Sequence, residues 1–157
     1  MYKVEYSEMY KGMPVVVLFV EEYAPHRCGY VGVNNNHKLY GLDYKDKIYM
    51  GEDWIANREV GDRGVLSLFC FALNDDKENI PLDVLFEVHG GLTYSSKRIG
   101  WKDYPIQSDF WFFGFDCAHS DDNLCKWSFK RVLDETRELA DQIEEFRNKE
   151  IIIKRGE

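Results

Sequence analysis

Long apolar runs are missing from this sequence. The longest, VVVLFV at Val15–Val20, stops at Glu21 and Glu22, far short of the roughly 20 residues that cross a bilayer as a helix. No membrane partner is expected, and the run reads as a buried strand. The opening MYKVEYSEMY has neither the basic head nor the apolar stretch of a secretory leader, so cytoplasmic residence is expected. Paired cysteines are missing too. The four cysteines (Cys28, Cys70, Cys117, Cys125) are scattered, with no C-x-x-C, so free thiols are expected rather than a disulfide framework.

Positive charge is in short supply. Twenty Lys and Arg stand against 28 Asp and Glu, a net charge of -8. The basic residues are dispersed in SSKR, Lys102 and FKR, which is no phosphate-tracking stripe, and a nucleic-acid partner is not expected. The glycine spacing of HGGLTY, without a following lysine, is not that of a phosphate loop. No internal repeat, low-complexity tract or linker divides the chain.

What is present suits one globular domain over residues 1–157. Hydrophobic residues make up 45% of the chain and charged residues 31%, enough to bury a core and remain folded. YKVEY, MPVVVLFVEE and RCGYVGV read as strands, the first two separated by YKG. NNNHKLYGLDYKDKIYMGED has no sustained period and reads as a long loop with one short strand. DWIANREV is open between helix and strand, and RGVLSLFCFAL between a strand and a buried helix. LDVLFEVH alternates, with Leu82, Val84, Phe86 and Val88 apolar, which predicts a half-buried strand carrying His89 on its polar phase. LTYSS continues the strand, KRIGWKDYPIQ is a loop, and DFWFFGFDCA predicts a central strand. From Trp127 onward the apolar positions fall at three-and-four spacing over about five turns, an amphipathic helix. IIIK adds a short strand or tail. The expected class is α+β, an antiparallel sheet packed against a long C-terminal helix.

Three constellations carry chemistry. In HGGLTYS, His89 is followed by Gly90 and Gly91, whose backbone N–H groups suit an anion or carbonyl oxygen. Thr93 and Ser95 share the phase of His89 if the strand runs straight. A β-bulge with a surface histidine is an equal alternative. In DCAHSDD, the aromatic run Phe110–Phe115 ends at Asp116, with His119 three residues on. If the strand turns near Ala118 the two converge, as an oriented general base or as part of a two-histidine, one-carboxylate metal site. Asp116 as a turn cap beside a solvated histidine is the blander alternative, and the stronger one for this motif alone. In GYVGVNNNHKLYG, Tyr30, His37 and Tyr40 offer hydrogen bonds to a polar ligand, against an ordinary polar loop. A zinc site of Cys117, His119 and Cys125 with Cys28 fits no compact knuckle spacing, and a Cys117–His nucleophile pair needs a lowered thiol pKa.

Taken together, GYVGV…HKLYG at Gly29–Gly41, HGGLT at His89–Thr93, GFDCAH at Gly114–His119 and the E…LA.Q of Glu138–Gln142 resemble a family of small phage and prophage proteins. Lys38 stands where that pattern has proline, and Ser120 where it has glycine before Asp121. The resemblance implies work inside a bacterial cell and assigns no activity. Action against a host defence signal is an expectation from that setting.

Two functions follow as expectations. One is a pocket for a small polar, nucleotide-like ligand, bound or hydrolysed, with His89, Asp116 and His119 as catalytic residues. Tyr30, His37, Tyr40, Gly90, Gly91, Thr93, Ser95 and Asp121 would then hold the ligand, with metal and cofactor undecided. The other is an acidic protein-binding inhibitor or mimic, using the outer helix face of Asp134, Glu135, Glu138, Asp141, Glu144 and Glu145.

Overall fold

A computed structural model describes residues 2–22, 24–50, 78–97 and 109–154. DWIANREV, RGVLSLFCFAL, nearly all of KRIGWKDYPIQ and Cys70 lie outside the described residues. The architecture is α+β. Strands β1 (Tyr2–Tyr10), β2 (Met13–Val20), β3 (His26–Val33), β6 (Tyr94–Ser96) and β7 (Trp111–Asp116) form an antiparallel sheet in the order β1-β2-β3-β7-β6. A smaller sheet, β5-β4-β8, joins β4 (Lys47–Tyr49), β5 (Asn79–Pro81) and β8 (Ile153–Lys154). Among the described residues no helix is long and apolar enough to cross a membrane.

Strand β2 is buried on both faces, which is why its valines run without alternation. Val15 and Val17 join the main core, while Val16, Leu18 and Val20 join a second cluster with Tyr30 and Phe112 on the opposite face. Strand β7 obeys the same period: Phe113 and Phe115 face the main core and Phe112 faces away. It lies inside the sheet, between β3 and β6.

Glycine is matched to aromatic across the β3–β7 pair. Gly29 lies opposite Phe115, Tyr30 opposite Gly114, and Gly32 opposite Phe112. A side chain at Gly29 or Gly114 would occupy the space of the Phe115 or Tyr30 ring. The GYVG and FGF stretches therefore interlock on both faces of the sheet, with Gly29 roofed by Phe115 on the main-core face and Gly114 and Gly32 roofed by Tyr30 and Phe112 on the other.

Helix α2 (Phe129–Glu144) lies on the main-core face, where Thr136 meets Gly29. It has 16 residues, about four and a half turns, shorter than the periodicity predicts because the chain leaves the helix in tight turns at Phe146 and Arg147. Ser128 caps it by accepting from the Arg131 N–H at 3.3 Å. Val132, Leu133, Thr136, Leu139, Ala140 and Ile143 are buried, the stripe that the sequence pattern requires. Thr136 satisfies its hydroxyl by donating to the Val132 carbonyl at 2.6 Å.

LDVLFEVH is not a strand. Leu82–Leu85 forms a single helical turn, α1, followed by extended chain. Leu82, Leu85 and Phe86 are all buried, and their i, i+3, i+4 spacing is helical; the apolar Leu85 on the supposed polar phase is the residue that breaks the alternation. Pro81, with φ of -62°, leads into the turn. In place of a side-chain cap, the Leu82 and Asp83 N–H groups donate to the carbonyls of Asp46 and Tyr44 at 3.0 and 2.9 Å. The long 34–50 loop, which holds β4 as its one short strand, thus completes α1.

After α1 the chain runs along α2 and is held by two helix side chains. Gln142 accepts from the Glu87 N–H at 2.7 Å and donates to the Glu87 carbonyl at 2.9 Å, replacing the strand partner that this segment lacks. Glu135, seven residues earlier on the same helix face, accepts from the His89 N–H at 2.9 Å. These two contacts deliver His89 to its position.

Candidate functional site

His89 leaves α2 and meets the segment that follows β7. That strand ends at Asp116, and the chain turns so that the Asp122 N–H donates to the His119 carbonyl at 2.9 Å. The turn brings the Asp122 carboxylate under both imidazoles. His89 Nε2 lies 2.9 and 2.8 Å from its two oxygens. His119 Nδ1 lies 3.0 Å from Asp122 Oδ2, and the His119 N–H donates to the same oxygen at 3.0 Å. The Asp122 side chain is only 3% exposed, against 25% for His89 and 37% for His119. Burial pushes the Asp122 carboxyl upward, but hydrogen bonds from His89 and His119 outweigh it and hold the group below the usual carboxylate range.

The rings are packed as well as bonded. His89 stacks on Trp127 at 4.0 Å between centroids and meets His119 edge-on at 5.0 Å. The Arg131 guanidinium covers the Trp127 ring at 3.9 Å. Gly90 and Gly91 have φ of +72° and +77°, which favours glycine. Gly90 is needed twice over, because a Cβ there would overlap the His119 ring. Gly90→Ala is expected to cost about 1–3 kcal/mol from backbone strain alone and to displace His119, read as a change in the His119 ring resonances by NMR.

The HGG and DCAH segments therefore come together, but through a different carboxylate from the one expected. Asp116 Oδ1 stands 3.9 Å from His119 Nδ1, beyond hydrogen-bond reach. It accepts instead from the Ala118 N–H at 3.1 Å and, at its other oxygen, from the Thr93 hydroxyl at 3.2 Å. Asp122 was the residue the sequence pattern hid. Its carboxylate accepts from the N–H of His119, the first residue of the turn HSDD, at 3.0 Å, a contact that carries no periodic signal in the sequence. Asp121 beside it is exposed.

Asp116 and Thr93 open onto a cleft of about 570 Å³, which Tyr30, Tyr94, Glu22 and His26 also line. Tyr30 and Tyr94 meet edge-to-face at 5.3 Å, and burial raises the Tyr30 phenol so that it stays protonated. The carboxylates of the lining are Glu22 and Asp116, so the cleft favours hydrogen-bond donors over bare anions.

Several expected ligand contacts lie elsewhere. His37 is buried, with Nδ1 accepting from the Leu39 N–H at 3.1 Å and Nε2 donating to the Ile143 carbonyl at 3.2 Å. It satisfies the end of α2, and burial lowers its pKa. Tyr40 packs on Trp111 at 6.2 Å and is absent from the cleft lining. Ser95 donates to Asp43 at 2.9 Å and accepts from the Tyr44 N–H at 3.1 Å, because the glycine turn breaks the straight strand that would have aligned it with His89. The Gly91 N–H is taken by the Val88 carbonyl at 2.9 Å, which removes half of the expected anion cradle.

Cys28 lines the cleft. Cys28, Cys117 and Cys125 are free. Burial raises the Cys28 thiol to about 12 and the Cys117 thiol further still, so Cys117 is no thiolate nucleophile. Among the described residues the one group of His, Cys, Asp or Glu with three ligand atoms within metal-binding reach is His89, His119 and Asp122; no cysteine joins it. Comparison of the chain with protein-family models, curated proteins and solved structures returned no match.

Proposed function

We propose that the protein binds a small, polar, nucleoside-like ligand in the cleft lined by Asp116 and Thr93; His89, His119 and Asp122 do not line it, and His119 approaches it only through Asp116, at 3.9 Å. The observation that carries this reading is the placement of Asp116 and Thr93 in a cleft of about 570 Å³ walled by Tyr30 and Tyr94. That volume lies within the range of small-molecule sites, and the lining combines aromatic faces with a few polar groups. Asp116 accepts from ligand donors, and the tyrosines pack against a flat ring. In the hydrolytic form of this reading, Asp122 orients the imidazoles and His119, the more exposed of the two, serves as general base. The resemblance to phage and prophage proteins puts the ligand inside a bacterial cell, with a host defence signal as the motivating case.

The acidic-mimic reading has less support. Asp134 pairs with Lys130, Asp141 with Lys11, and Glu144 with Arg147. Glu135 is bonded to the His89 backbone. The acidic face is largely committed within the molecule.

The test is calorimetric titration with a panel of nucleosides and mono-, di- and cyclic nucleotides in chelator, with chromatography of each mixture for products. At least one member is expected to bind saturably, and Asp116→Asn to weaken it about tenfold or more through loss of the charged acceptor. Binding that is absent across the panel, or indifferent to Asp116→Asn and Thr93→Val, overturns the reading.

A further inference from the structure

We infer that His89, His119 and Asp122 form a binding site for a divalent transition-metal ion of the zinc type. Three ligand atoms, one from each residue, lie within 4.8 Å of one another. The separations between carboxylate and imidazole are 2.8 Å for His89 Nε2 and 3.0 Å for His119 Nδ1, both to Asp122 Oδ2. Ligands of a tetrahedral ion on bonds of about 2.1 Å stand about 3.4 Å apart, so these hydrogen-bonded edges open by about half an ångström to admit the ion.

The donor set selects the class. Two imidazoles and one carboxylate suit zinc, iron or nickel, whereas magnesium and calcium demand oxygen. Coordination requires each ring to turn the lone pair of the nitrogen facing Asp122 toward the ion, with the ring proton on its other nitrogen. The local charge favours a dication, with Asp116 3.9 Å from His119 Nδ1 and Glu135 bonded to the His89 backbone.

The site is also preorganised and open on one side. Asp122 and His119 are fixed by their reciprocal backbone contacts, and His89 is clamped against Trp127. Few groups must be ordered on binding, which lowers its entropic cost. His119 is 37% exposed, so coordination positions remain for water on the side of Asp116. Three protein ligands with an open position is the pattern of a reactive rather than a purely structural zinc centre.

The inference adjoins the ligand cleft at Asp116, 3.9 Å from His119 Nδ1, but is read out separately. Full-length protein stripped with chelator is titrated with Zn²⁺ alone, then with Mg²⁺, by calorimetry. One equivalent of Zn²⁺ is expected, with a Kd of about 1 μM or tighter, and no comparable binding of Mg²⁺. His119→Ala and Asp122→Asn should each weaken Zn²⁺ by at least about tenfold. On wild-type protein, Zn²⁺ should shift the ring resonances of His89 and His119 but not those of His37, a readout that does not depend on a variant folding. Absence of stoichiometric binding, unchanged affinity in both site variants, or resonance shifts confined to other histidines overturns the site. Nucleoside binding in chelator would survive that outcome, so the two readings fail independently.

Discussion

Asp122→Ala is expected to lower the free energy of unfolding by about 3 kcal/mol, measured by urea denaturation at neutral pH in metal-free buffer. The carboxylate is 3% exposed and accepts from two imidazoles, and it also accepts from the His119 N–H. Alanine leaves all three donors facing a small void. Hydrogen bonds to a charged acceptor are individually worth about 1.5–3 kcal/mol, but both rings regain water partners because they are partly exposed, so the sum is discounted. Asp122→Asn should lose less, since its amide oxygen still accepts one bond while its NH₂ opposes the other donor. Asp116→Ala, half-buried on the cleft wall, should cost no more than about 1 kcal/mol. The order Asp122→Ala, then Asp122→Asn, then Asp116→Ala is the signature of Asp122 as the residue that joins the two segments. Equal losses at positions 116 and 122 would restore the carboxylate that the sequence pattern favours.

That contrast shows where sequence pattern reaches the site and where it stops. The strands were legible because short continuous runs of β-branched and aromatic residues bounded by turn signals suit a buried, pleated surface. The MPVVVLFV run carries that signal over eight residues and WFFGF over five, while the stripe of α2 carries the helical three-and-four spacing. Convergence of HGG with DCAH could be argued from the polarity switch at Asp116, since a strand that leaves a dry core must emerge somewhere. Which carboxylate reaches the imidazoles depended on the path of the HSDD turn, and turn geometry is set by backbone hydrogen bonds that no periodicity encodes. His37 failed for another reason: a buried histidine satisfied by a helix carbonyl has the same local sequence as one that holds a ligand. LDVLFEVH misled because its neighbours, not its own alternation, decide its conformation. Gln142 supplies the hydrogen bonds of a missing strand to Glu87, so a four-residue helical turn and a short extended segment fit where one strand was expected.

The glycine–aromatic interlock gives the second large effect. Gly29→Ala is expected to destabilise the protein by about 3 kcal/mol in the same urea assay, the upper part of the usual range for overpacking. The new methyl would fall on the Thr136 hydroxyl of α2 and on the Phe115 ring of β7 at once. Neither neighbour has room to retreat: Thr136 is fully buried and bonded to the Val132 carbonyl, and Phe115 is 1% exposed. The helix must lift or the sheet must bend. Thr136→Ala in the Gly29→Ala background removes one of the two collisions, so the double variant should recover part of the loss, a coupling of about 1 kcal/mol between residues in contact. Strict additivity of the two substitutions would mean that α2 does not rest on Gly29. The consequence extends to the histidines, because α2 carries Glu135 and Gln142. A helix lifted from the sheet at Thr136 pulls on the two side chains that hold Glu87 and His89 in place, so the His89 ring resonances should move in Gly29→Ala and return toward their original positions in the double variant.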